Sequence, residues 1–96
     1  EIRIGHFTLN PKERLLTTET GEARTLSLSE CKLLSLLASH RNEVVTRAEI
    51  EDVLWQGEAA NEQSLNNFIA HLRKYLQGDK RIDLHTVKGI GYKLVW

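Results

Sequence analysis

The sequence predicts an α+β fold in a single domain over residues 1–96: a small N-terminal antiparallel sheet, then three helices, then a C-terminal β-hairpin. Three observations predict it. Short alternating apolar segments separated by turn residues fill positions 2–26. Two Ser/Thr-x-x-Glu sequences, Ser27-Leu28-Ser29-Glu30 and Thr46-Arg47-Ala48-Glu49, mark helix starts. A third apolar stripe at helical spacing, Leu65, Ile69, Leu72 and Leu76, runs into two alternating segments joined by Lys88-Gly89-Ile90-Gly91.

Residues 1–26 form the sheet unit. Ile2-Arg3-Ile4 and Phe7-Thr8-Leu9 alternate about Gly5-His6, and Asn10-Pro11 is a turn signal. Arg14–Thr18 and Ala23–Leu26 flank Glu19-Thr20-Gly21-Glu22, a hairpin turn in which Gly21 supplies positive φ. Three or four such strands leave one face to bury, so helices must cover it.

Residues 27–77 form the three-helix unit. Ser27 and Glu30 cap the first helix; Leu33, Leu34 and Leu37 are its apolar stripe, with Cys31 at the edge. It ends near Ser39–Asn42, where His40 and Arg41 suit the macrodipole. The second helix opens at Thr46, with Val44 and Val45 as staple residues, turns Ile50, Val53 and Leu54 inward, and ends between Trp55 and Gly57. The third runs from Gln63 to Leu76. With Leu65 at 0°, Ile69, Leu72 and Leu76 fall at about 40°, 340° and 20°, opposite a sector of Gln63, Asn67, Ala70 and Lys74 with His71 beside it. Residues 81–96 form the hairpin, from Ile82–Thr86 to Tyr92–Val95, with Tyr92 and Trp96 expected to hold it to the third helix.

Composition bounds the function. Hydrophobic residues are 41% of the chain, enough for one core, and no apolar run approaches the 18 residues that begin to suggest a membrane helix. The single cysteine, Cys31, has no internal disulfide partner and argues for a reducing compartment, so a cytoplasmic location is expected. The chain starts at Glu1 rather than methionine, as a domain cut from a longer protein would. His6, His40, His71 and His85 have no Cys or carboxylate at ligand spacing, which argues against a metal site. Neither a Ser/His/Asp set nor a carboxylate pair is placed for catalysis, and Gly89 and Gly91 lack the strand-to-helix context of a nucleotide loop. Neither an enzyme nor a cofactor is expected.

Three helices followed by a hairpin is a winged-helix arrangement, a helix-turn-helix variant whose third helix enters the major groove while the hairpin lies on the adjacent backbone or minor groove. The 13 basic and 13 acidic residues cancel overall. Residues 62–96, however, hold six cations (Arg73, Lys74, Lys80, Arg81, Lys88, Lys93) against three acids (Glu62, Asp79, Asp83), a local balance of +3. Phosphate responds to local potential, so the polarity singles out this third of the chain, and Arg73 and Lys74 suit backbone contacts.

Residues 63–76, QSLNNFIAHLRKYL, and residues 82–94, containing IDLHTVKGIGYKL, resemble the effector domain of OmpR/PhoB-class two-component response regulators. The resemblance rests on Ile69-Ala70-His71-Leu72-Arg73-Lys74 and Thr86-Val87-Lys88-Gly89-Ile90-Gly91-Tyr92, and extends to Leu26–Leu37, where Cys31 replaces a usual aromatic, and to Val44–Trp55. It implies a four-stranded N-terminal sheet and sequence-specific binding of double-stranded DNA. Asn67 and His71 would then face bases; Gln63 and Arg73 would meet phosphates; Thr86 and Lys88 would form the wing contact. Asn can pair with adenine N6/N7, and His can donate to guanine N7 or O6. The loop Gln56, Gly57, Glu58, Ala59, Ala60 and Asn61, anchored by Trp55, would correspond to a polymerase-contact surface. The resemblance further implies an upstream phosphoacceptor receiver served by a sensor histidine kinase, a homodimer on tandem half-sites in the full-length protein, and no membrane contact by this domain.

Departures from the family pattern keep a second reading open. Phe68, Ala70 and His71 stand where basic or groove-facing polar residues are usual, and Asn66 where aspartate is. Phe68, at about 300°, borders the buried stripe and reads as a core-edge aromatic, a contact for thymine methyls or a patch for a protein partner. The alternative is a degenerate winged helix acting mainly through protein–protein interaction.

Overall fold

The computed structural model describes residues 1–56 and 61–96. Its N-terminal sheet is a four-stranded meander of β1 (Ile2–Ile4), β2 (Phe7–Asn10), β3 (Leu15–Thr17) and β4 (Ala23–Thr25), each antiparallel to the next. The register sets Ile4 opposite Phe7 and Leu9 opposite Leu16. Period-two alternation sends Ile4, Phe7, Leu9 and Leu16 to the buried face. Gly5 turns the first hairpin at φ +57°, where an added Cβ would meet Asp79 Oδ2 at 2.6 Å, so this turn demands glycine on two counts.

Helix α1 (Leu28–Ser39) starts with the expected capping box: Glu30 N–H donates to Ser27 Oγ at 3.1 Å and Ser27 N–H to Glu30 Oε1 at 3.0 Å. Leu33, Leu34 and Leu37 are fully buried and Cys31 nearly so, which places α1 at the centre of the core against α2, α3, β1 and β7. Arg41 does not serve the end of this helix: its Nε donates to the Trp96 carbonyl at 3.0 Å and its guanidinium lies over the Trp96 ring. Trp96 N–H also reaches Asn42 Oδ1, so the last residue is fastened to the segment after α1. Tyr92 is buried in the core.

Val44–Thr46, expected to lead directly into the second helix, is instead strand β5 and pairs antiparallel with β7. The hairpin of β6 (Asp83–Val87) and β7 (Gly91–Val95) therefore belongs to a three-stranded sheet of order β5-β7-β6. Three residues are too short for alternation to stand out in sequence, although Val44 exposed and Val45 buried fit it. Gly91 permits the pairing, because a Cβ there would lie 2.0 Å from the Val45 carbonyl oxygen. Gly89 supplies φ +78° at the hairpin tip.

Helix α2 (Arg47–Trp55) is capped by Thr46, whose Oγ1 accepts from Glu49 N–H at 3.2 Å. The reciprocal half of the expected box is replaced by a contact from the Thr46 hydroxyl to Glu49 Oε1 at 3.1 Å. Ile50 is fully buried, Val53 and Leu54 partly, and Gln56 closes the helix in the left-handed conformation. Helix α3 (Glu62–Tyr75) begins at Asn61, whose Oδ1 accepts from Ser64 N–H at 3.1 Å. Leu65, Ile69, Leu72 and Leu76 are all buried, and Phe68 packs partly against the same core.

Candidate nucleic-acid interface

Burial of the Leu65/Ile69/Leu72 stripe fixes the rotation of α3 and turns the opposite side outward. Gln63, Asn67, Ala70 and Lys74 are all exposed, at about 140° to 200° from Leu65. Gln63 Nε2 donates to Asn67 Oδ1 at 3.2 Å, a contact between neighbours one turn apart that holds both amides on this face.

The two flanks of this face are fastened differently. On the wing side, Arg73 Nε donates to the Leu84 carbonyl at 3.0 Å and Nη2 to Thr86 Oγ1 at 2.8 Å, which fixes β6 to α3. Three of the five guanidinium hydrogens remain for other acceptors. On the α1 side, His71 Nδ1 lies 2.7 Å from Glu30 Oε2, and its ring stacks against Tyr75 with centroids 6.1 Å apart. Arg24 of β4 lies over the other part of this array, its guanidinium 4.3 Å from the Tyr75 centroid. Wing and N-terminal sheet are thus both tied to α3 by residues that border its outer face.

The turn after α3 is held by a buried carboxylate. Asp79 Oδ1 accepts from Arg81 N–H at 3.0 Å and Arg81 Nε at 3.2 Å; Oδ2 accepts from Arg81 Nη2 at 3.0 Å and His6 N–H at 2.9 Å. The Arg81 side-chain hydrogen bonds, helped by its backbone N–H and that of His6, hold the Asp79 carboxyl far below the usual carboxylate range. Arg81 is therefore committed to the fold. At the other end of α3, Arg47 bridges Glu51 at 3.4 Å and Glu62 at 3.0 Å. Lys74, Lys80, Lys88 and Lys93 have no ion-pair partner among the described residues, and Lys88 is exposed at the hairpin tip beside Gly89 and Ile90, itself 54% exposed.

The predicted site residues accordingly fall into three groups. Asn67, Gln63 and Lys74 share the open face; His71 and Arg73 sit on its two flanks with protein partners; Thr86 and Lys88 lie on the wing, Thr86 bonded to Arg73. Gln56 and Asn61 are exposed at the facing ends of α2 and α3, whereas Gly57, Glu58, Ala59 and Ala60 lie outside the described residues. Sequence reading missed the roles of Glu30, Tyr75, Arg24 and Asp79. Glu30 carried a local signal, the capping box, but 41 positions separate it from His71, and no spacing rule spans that gap.

The family model for the C-terminal domain of transcriptional regulatory proteins matches residues 21–94. The chain belongs to this OmpR/PhoB-type effector family. The family is one of transcriptional regulators and not of enzymes. The effector domain is 35% identical over 94 residues to the transcriptional regulatory protein TrcR of Mycobacterium tuberculosis, covering 97% of this chain and 36% of TrcR. Among solved structures, the C-terminal domain of the nisin resistance regulator NsrR, a lantibiotic response regulator, superimposes with a TM-score of 0.77 at 35% identity, covering 98% of this chain and 95% of that one. The RstA DNA-binding domain of Klebsiella pneumoniae, solved in complex with the RstA box, gives a TM-score of 0.77 at 27% identity over 98% of this chain and 95% of its own. The effector domain spans 36% to 42% of the length of several full regulators that it matches. No described helix is long and apolar enough to cross a membrane.

Proposed function

We propose that this effector domain binds double-stranded DNA in a sequence-specific way, with α3 in the major groove and the β6–β7 wing on the adjacent minor groove or backbone. The observation that carries the proposal is the open outer face of α3, which presents Gln63, Asn67 and Lys74 and is joined to the wing through the two Arg73 hydrogen bonds. A relative of the same fold, RstA, is solved with its DNA box, which supports the reading. On this proposal Asn67 and His71 contact bases, while Gln63, Arg73 and Lys74 contact the backbone. Gln63 makes one neutral hydrogen bond and Arg73 donates its remaining hydrogens as a charged group. Thr86 orients the wing through Arg73, and Lys88 carries the wing's charge to the DNA.

In the full-length regulator we place an upstream receiver that takes phosphate from a sensor histidine kinase, a homodimer on tandem half-sites, a polymerase contact at residues 56–61 and a cytoplasmic location. The protein-interaction alternative loses one of its supports, because Phe68 packs against the core instead of standing clear of it. Titration of labelled promoter fragments from the source genome, at 50 mM and physiological salt, tests the proposal. Retardation that weakens steeply with salt is expected. Retardation no greater than that of an acidic control protein at the lower salt would overturn it.

A further inference from the structure

Glu30 is 6% exposed and, with Asp79, is one of two buried acidic residues among those described. Its carboxylate has two tasks. Oε1 accepts the Ser27 N–H, completing the cap of α1, and Oε2 faces His71 Nδ1 at 2.7 Å. An ionised carboxylate can only accept, so the hydrogen in the second contact sits on Nδ1. In a neutral imidazole the other nitrogen, Nε2, is then an acceptor. The His71 side chain remains half exposed on the flank of the outer face of α3, so the ring is fastened at one nitrogen and accessible elsewhere. The ring also stacks on Tyr75 of its own helix, and the Arg24 guanidinium of β4 lies over that Tyr75 ring. Neither competes for Nδ1.

We propose that Glu30 is a positioning residue that sets what His71 reads: it locks the neutral ring as the Nδ1–H tautomer and presents Nε2 to the groove as an acceptor. Such a ring selects a base edge that offers a donor, the N6 amine of adenine or the N4 amine of cytosine, and disfavours guanine N7 and O6. Histidine at this position would otherwise be able to donate to guanine. The specificity thus lies partly on α1, in a residue that itself touches no DNA. The proposal rests on the DNA-binding reading, but its first step concerns the free protein alone.

Glu30→Gln tests it with little disturbance of the fold, since glutamine also completes a capping box. Its Oε1 can still accept from Ser27 N–H, which turns the amide NH2 toward His71. The ring must then accept at Nδ1 and carry its hydrogen on Nε2. Two-bond 1H–15N spectra of the 96-residue chain at pH 8.5 report the tautomer directly. The expected result is Nδ1–H in the wild type and Nε2–H in Glu30→Gln, with unchanged backbone spectra elsewhere; the same tautomer in both, or Nε2–H in the wild type, would overturn the proposal.

Selection from random duplexes at the same pH gives the second readout. At the position facing His71, the wild type is expected to prefer adenine or cytosine about tenfold, and Glu30→Gln to shift that preference toward guanine or thymine. A tautomer switch without a change in base preference would overturn the specificity step. Absence of binding to every duplex would overturn the DNA-binding reading, and the specificity step with it, while leaving the tautomer result standing.

Discussion

Replacing Arg73 separates the clamp on the wing from the phosphate contact proposed for the same side chain. Its guanidinium makes two hydrogen bonds to β6, at 3.0 and 2.8 Å, and has three hydrogens left for phosphate. Hydrogen bonds from a charged donor contribute about 1.5–3 kcal/mol when well buried. Arg73 is exposed, so screening reduces the pair to about 1–2 kcal/mol together. Arg73→Lys keeps the charge but cannot span both acceptors. It should lower stability in urea by that amount, equivalent to about 5–10 °C in Tm for a domain of this size, and leave the salt slope of DNA binding unchanged. Arg73→Ala should lose the same stability, reduce the slope by about 0.9 and weaken all sites by a similar factor. An Arg73→Lys variant as stable as the wild type would refute the clamp, and an Arg73→Ala variant with altered site preference but unchanged overall affinity would refute the phosphate contact.

Three further outcomes follow from named contacts. Because the Asp79 carboxyl is held below its usual range in the fold, its contribution to stability is fully present above about pH 4, where the unfolded carboxylate is ionised. That contribution is lost as pH falls from there toward the lowered native value, so Asp79→Asn should be less stable at neutral pH and show a flatter acid limb in urea titrations between about pH 4 and 2. Gly91→Ala drives a Cβ against the Val45 carbonyl and should cost about 3 kcal/mol in urea unfolding, with hydrogen exchange accelerated in Val44–Thr46. Lys88→Ala should weaken binding to all duplexes alike and lower the salt slope by about 0.9, read by anisotropy titration.

The helices were legible because their signals are local. Capping residues and a 3.6-residue period lie within a few positions of what they specify, and the stripe Leu65/Ile69/Leu72/Leu76 is buried throughout. The N-terminal meander was legible for the same reason, through alternation and Gly21. What escaped depends on contacts between distant segments. Strand β5 exists because β7 offers it an edge and Gly91 gives it room, and nothing in Val44–Thr46 alone distinguishes that from a helix lead-in. The basic excess of residues 62–96 was visible, but not that Arg81 serves Asp79 or that Arg73 also clamps the wing. Histidine at position 71 was recognised as a possible base reader; the carboxylate that fixes its polarity lies on another helix.

The central claim is that the outer face of α3 reads DNA sequence, and Asn67 stands in the middle of that face. Selection of the 96-residue chain against random duplexes, repeated with Asn67→Ala, tests it most directly. A defined motif is expected for the wild type, bound about a thousandfold or more above shuffled duplex. For Asn67→Ala the preference should relax by about 1–3 kcal/mol at one base pair, leaving the rest of the motif intact. Recovery of no motif, or of the same motif with undiminished preference at every position from both proteins, would contradict the account.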